Sequence, residues 1–128
     1  MAKRSFWAWG MEADEPTSEQ MKAAAEELAG RYKVVLTPVA PPRASELSLR
    51  KPRITPPSSL SSICVSDDYD RAVHTYGRSF RDRIRAFNLD FPNPPDVVAR
   101  PHNEQEVAAV LEWCSSSGHA AIPFGGGS

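Results

Sequence analysis

Three successive glycines, Gly125, Gly126 and Gly127, preceded by Pro123 and Phe124 and followed by Ser128, form the segment of this chain best suited to holding a ligand. Glycine takes backbone conformations closed to other residues and lets main-chain amides approach a bound group closely. Successive amides turned to one side make a nest for an anion, and a pyrophosphate fits such a nest. The loop follows a short apolar run instead of joining a first strand to its helix, so it departs from the Rossmann dinucleotide fingerprint, and no lysine follows as a Walker loop requires. A flexible Gly-Ser linker is the competing reading.

Other chemistry-bearing side chains are scattered. His74, His102 and His119 have no second ligand at metal-binding spacing, so the expected metal set is none, and helix-surface or cap roles are expected for all three. Cys64 and Cys114 lack a Cys-x-x-Cys pattern and read as reduced structural thiols. Arg78, Arg81 and Arg85 could meet a phosphate, but pairing with Asp82 or plain exposure is the simpler expectation. Trp7 and Trp9 are expected to dock on the core. No catalytic residue is assigned.

The elements that must position the glycine loop are short. Thr17 and Gln20 form a capping box for a first helix, with Met21, Ala24, Ala25 and Leu28 on one side and Gly30 as its stop. Residues 32–36 suggest a brief strand, and the proline-rich run from Pro38 to Pro57 predicts extended chain lying on another surface. A second, long helix is predicted from Ser66 or Asp67, with Tyr69, Val73, Tyr76, Phe80, Ile84 and Phe87 as its apolar stripe. Asp96–Ala99 reads as a buried strand. Asn103 and Glu106 make another capping box, Val107, Val110, Leu111 and Cys114 follow at helical spacing, and Gly118 ends the helix at about Ser117. Ala120–Pro123 then supplies a strand expected to pair in parallel with Asp96–Ala99 as a β-α-β unit. Antiparallel or absent pairing there would remove the flavin-domain reading.

Composition bounds the partners. The chain has 128 residues, 41% hydrophobic and 24% charged, with twelve prolines and a net charge of -1. Those values belong to a globular protein and give no global argument for nucleic acid. From Arg43 to Arg85 there are nine Lys or Arg against five Asp or Glu, a pattern that a solvated helix face explains. Acidic residues directly after Phe6-Trp7-Ala8-Trp9-Gly10 leave no apolar run for a signal peptide, which points to a cytoplasmic protein without a membrane span.

Residues 95–101 (Pro-Asp-Val-Val-Ala-Arg-Pro), the helix containing Glu106-Val107-Ala108-Ala109-Val110-Leu111, and residues 122–128 (Ile-Pro-Phe-Gly-Gly-Gly-Ser) resemble the start of the FAD-binding domain of the vanillyl-alcohol oxidase and para-cresol methylhydroxylase type. Trp7-Ala8-Trp9-Gly10, residues 52–57, and the segment with Asp68, Arg71, His74, Gly77 and Arg78 look like the amino-terminal region of the alkyldihydroxyacetonephosphate synthase family and its bacterial relatives. This resemblance implies an α+β fold, a helical amino-terminal region followed by the first, truncated β-α-β unit of the FAD domain. Its divisions would be an amino-terminal region over 1–65, a long helix and linker over 66–91, and the incomplete FAD domain over 92–128.

It also implies that Pro123, Phe124, Gly125, Gly126, Gly127 and Ser128 contact the FAD pyrophosphate. Some superfamily members carry a flavin-linked histidine at the end of this loop. Ser128 in that place implies non-covalent FAD, its hydroxyl being able to donate to phosphate but lacking an imidazole nitrogen to alkylate. The family's reaction exchanges the acyl chain of acyl-dihydroxyacetone phosphate for a fatty alcohol without net oxidation, with catalytic groups expected beyond Ser128 and the 128 residues inactive alone. Peripheral membrane contact through other regions would suit a lipid substrate. An FAD-linked 2-hydroxy-acid dehydrogenase and a small non-enzymatic interaction module are the alternatives.

Overall fold

The computed structural model describes residues 3–127. Among them the elements are α1 (Ser18–Tyr32), β1 (Cys64–Val65), α2 (Asp68–Val73), α3 (Phe80–Phe87), β2 (Val98–Ala99) and α4 (Glu104–Ser117), with short 3-10 turns at Glu12–Asp14, Ala44–Glu46 and Ser58–Leu60. The result is a mixed, helix-rich fold with a small two-stranded sheet. None of its helices is long and apolar enough to cross a membrane among the described residues.

The core is built around a tight loop near the start of the chain. Glu12 N–H donates to the Lys3 carbonyl at 2.8 Å and Ser5 N–H to the Gly10 carbonyl at 3.2 Å, so residues 3–12 close on themselves and push Phe6, Trp7 and Ala8 inward. These pack with Ala72 and Val73 of α2, Ala86 of α3, and Phe91. Phe6 meets Tyr69 edge-on at 6.0 Å and Trp7 meets Phe87 at 5.4 Å, geometries that aromatic quadrupoles favour. Trp7 is therefore the docked tryptophan, whereas Trp9 is 58% exposed. Buried loop backbone needs partners. Ser5 Oγ accepts from the amides of Trp7 and Ala8, and Arg78 Nη1 donates to the carbonyls of Ser5 and Ala8 at 3.1 and 3.2 Å.

Several boundaries depart from the sequence expectation. The capping box of α1 forms at Thr17 and Gln20, but the helix runs through Gly30 and ends at Lys33, whose φ of 54° is left-handed. A helical glycine costs only about 1 kcal/mol, too little to stop a helix with nothing else against it. Residues 32–36 are exposed and form no strand, for want of a neighbouring chain to share their hydrogen bonds. The long helix is two helices: α2 ends at Val73, and Ser79 caps α3 by accepting from Asp82 N–H. The break leaves Phe80 at 82% exposed and Ile84 at 48%, so only part of the predicted stripe is core.

The largest correction concerns the sheet. β2 pairs antiparallel with β1, Val98 opposite Val65 and Ala99 opposite Cys64. Residues 120–123 form no strand, and Ile122 is 86% exposed. The parallel β-α-β unit is absent from the described residues: the backbone of residues 120–123 bonds to no strand, while β2 takes its partner from β1 and Arg100 N–H beyond it donates to the Ile63 carbonyl. Helix α4 matches its predicted span, and Gly118 takes a φ of 68° at its end. Asn103 accepts from Glu106 N–H, but Glu106 returns its carboxylate to the amide of His102 rather than Asn103. That amide holds the Glu106 carboxyl below its usual range.

Candidate functional site

The glycine loop leaves α4 through Gly118 and residues 120–123, and three contacts set its position. The Phe124 ring lies 4.7 Å from that of His74, just past α2. His74 Nδ1 is 2.7 Å from the Asp70 carbonyl oxygen, which aligns it as the donor and fixes the ring. Arg4 Nη1 donates to the Gly126 carbonyl at 3.1 Å. The loop is thereby tied to both α2 and the first residues of the chain.

Its backbone suits an anion. Gly125 and Gly126 are exposed, with no described atom within 4 Å of where a β-carbon would stand. Gly127 has a φ of 72°, and a β-carbon there would come within 2.7 Å of the Phe124 ring. The position demanding glycine is therefore Gly127. Among the described residues, none of the amides of Phe124, Gly125, Gly126 and Gly127 donates a hydrogen bond, so these donors are available to a phosphate group. The residues present thus fit a pyrophosphate, while Pro123 contributes only an exposed approach and Ser128 lies outside the described residues.

The arginines that the sequence singles out make no hydrogen bond to the loop among the described residues. Burial lowers the affinity of Arg78 for its proton, and the nearby positive charges of Arg4 and Arg83 add to the effect. Its Nη2 is buried and has no hydrogen-bond partner among the described residues. None of Arg78, Arg81 and Arg85 pairs with Asp82 among the described residues; Asp82 instead accepts from the hydroxyl of its own helix cap, Ser79. Arg85 stacks over Tyr76 and Arg83 over Trp9, while Arg81 is exposed.

A second polar web holds the segment that leads to β2. Arg71, fully buried, donates through Nε to the Pro95 carbonyl at 2.7 Å and through Nη2 to the Arg50 carbonyl at 2.6 Å, and pairs with Asp68 at 3.0 Å. Asp96 takes ion pairs from Arg50 and Arg53 together. Hydrogen bonds from Arg53 and then Arg50 hold its carboxyl well below the usual carboxylate range. Asp70 pairs with Arg100. These partners lie 30 to 46 residues apart for Asp70 and Asp96, beyond the reach of any local spacing rule. Cys64 and Cys114 are free thiols, and burial pushes Cys64 up.

No protein-family model matches the chain. The alkyldihydroxyacetonephosphate synthase of Dictyostelium discoideum is 37% identical to it over 62 residues, covering 48% of this chain and 10% of that protein. Two solved structures of alkyldihydroxyacetonephosphate synthase, in different crystal forms, share its fold. One matches 97% of this chain and 28% of its own with a TM-score of 0.77 at 20% identity, and the other 81% and 21% with a TM-score of 0.66 at 24% identity. At such identities the structural likeness concerns the fold. In sequence over about half its length, and in fold over nearly all of it, this chain is similar to alkyldihydroxyacetonephosphate synthase.

Proposed function

We propose that this chain is part of an FAD-dependent enzyme of the alkyldihydroxyacetonephosphate synthase type, acting in ether-lipid synthesis, and that its glycine loop receives the pyrophosphate of a non-covalently held FAD. The observation that carries the reading is the fold match over nearly the whole chain, joined to sequence identity with the same enzyme. The free amides of the loop add chemical support. In this reading residues 1–65 and 66–91 form the scaffold, and residues 92–128 belong to the FAD-binding domain. The unpaired residues 120–123 meet the condition set against a flavin domain, so the FAD part of this reading stands on the fold match and the sequence identity.

When bound, FAD would supply a ring able to take and return an electron pair while the acyl chain of acyl-dihydroxyacetone phosphate is exchanged for a fatty alcohol. The residues of this chain bind and orient. Amides of Gly125, Gly126 and Gly127, which donate to no described group, would oppose the diphosphate charge. The Gly126 carbonyl, a group that would repel phosphate, is turned to Arg4. Phe124 against His74 restrains the loop, and the Ser128 hydroxyl would donate one more hydrogen bond. The substrates would be lipids, making peripheral membrane contact part of the proposal.

The test is to incubate the protein made from its complete coding sequence with acyl-dihydroxyacetone phosphate and isotope-labelled fatty alcohol, and to follow products by mass spectrometry. Labelled alkyl product without reduction of an electron-accepting dye supports the proposal. Dye reduction by a 2-hydroxy acid, without alkyl product, would place the protein among the oxidising relatives.

A further inference from the structure

We propose that Arg4 is a positioning residue for the cofactor loop, orienting the peptide between Gly126 and Gly127 so that its amide faces the bound diphosphate; this rests on the FAD reading above. The Arg4 guanidinium reaches the Gly126 carbonyl across 122 residues of sequence. In a trans peptide the C=O and the following N–H point in opposite directions. Drawing the Gly126 oxygen toward Arg4 therefore turns the Gly127 amide to the other side, where no described group accepts from it. The left-handed Gly127, with the Phe124 ring packed beneath, completes the turn.

Arg4 can do this because its own backbone is fixed. It bridges antiparallel to Met11, and its carbonyl accepts from the Tyr69 hydroxyl at 2.6 Å. The next residue, Ser5, is fully buried, with its carbonyl gripped by Arg78. Only the Arg4 side chain extends from this anchored base into solvent beside the loop.

The experiment uses the complete apoprotein as wild type, Arg4→Ala and Arg4→Lys. FAD affinity is read from quenching of flavin fluorescence, and loop order from chymotrypsin cleavage at Phe124 in the absence of FAD. Arg4→Ala is expected to bind FAD about tenfold more weakly and to be nicked at Phe124 several-fold faster, with Arg4→Lys restoring most of both. Equal affinity in Arg4→Ala and wild type overturns the inference, as does a loss of affinity that Arg4→Lys shares in full. If the wild type binds no FAD, the functional reading fails, and the cleavage rates decide alone: unchanged nicking in Arg4→Ala overturns the positioning role.

Discussion

Arg71 Nε donates to the carbonyl oxygen of Pro95 at 2.7 Å, from a side chain with no solvent exposure. That bond ties α2 to the chain entering β2, while the same guanidinium holds the Arg50 carbonyl and Asp68. A planar fork serves three acceptors at once, which an ammonium group cannot. Arg71→Ala is expected to cost about 3 kcal/mol, since two inward-facing carbonyls lose their donor, and Arg71→Lys should recover only part. Urea unfolding of the 128-residue chain measures both, and a cost of Arg71→Ala below about 1 kcal/mol would show that the web is not structural.

Asp96 gives a pH dependence of definite sign. Its carboxyl is held below the ordinary value of about 3.9 by Arg53 and Arg50. The folded state thus keeps Asp96 ionised where the unfolded chain would protonate it. The stabilisation is present above the unfolded value and is lost as the pH falls through the folded one. Asp96→Asn should destabilise at neutral pH by about 1–2 kcal/mol, with the gap to wild type closing below pH about 4. A gap independent of pH would contradict the assignment.

Tyr69 behaves in the opposite sense at high pH. Burial, aided by Glu12, Glu15 and Asp70 and opposed by Arg78, pushes its phenol up to about 12. With the unfolded value near about 10, folding is favoured fully below that pH, and this contribution is lost as the pH rises through the folded value. Phenolate absorbance should show a late-ionising tyrosine that Tyr69→Phe removes. Complete titration of every tyrosine by pH about 10.5 would refute it.

The two tryptophans near the start should separate cleanly. Trp7 is 7% exposed and packs on Phe87, whereas Trp9 is 58% exposed. Trp7→Ala is expected to cost about 3–5 kcal/mol and Trp9→Ala less than about 1, as measured by unfolding midpoints at constant m-value. Equal costs would mean that the loop over residues 3–12 docks differently.

How legible this was in the sequence depended on distance along the chain. Helix α4 and the caps at Thr17, Asp67 and Asn103 were readable because a cap and a 3.6-residue period are local. The break between α2 and α3 was not, since a continuous apolar stripe hid the capping role of Ser79. Strand pairing was not legible because β2 takes its partner from Cys64–Val65, a segment distant in sequence that no local pattern links to it. Within the candidate site, the glycines were visible, but the Arg4 and His74 contacts to the loop join residues 122 and 50 positions apart.

The central claim, that this chain serves a flavoenzyme holding FAD without a covalent bond, meets its most direct test in acid precipitation of the protein made from its complete coding sequence. Backbone amides and a hydroxyl release their ligand on denaturation. FAD is expected in the supernatant at about one molecule per chain, over a colourless pellet; flavin remaining in the pellet, or a purified, folded protein that binds no flavin at all, would refute non-covalent binding of FAD.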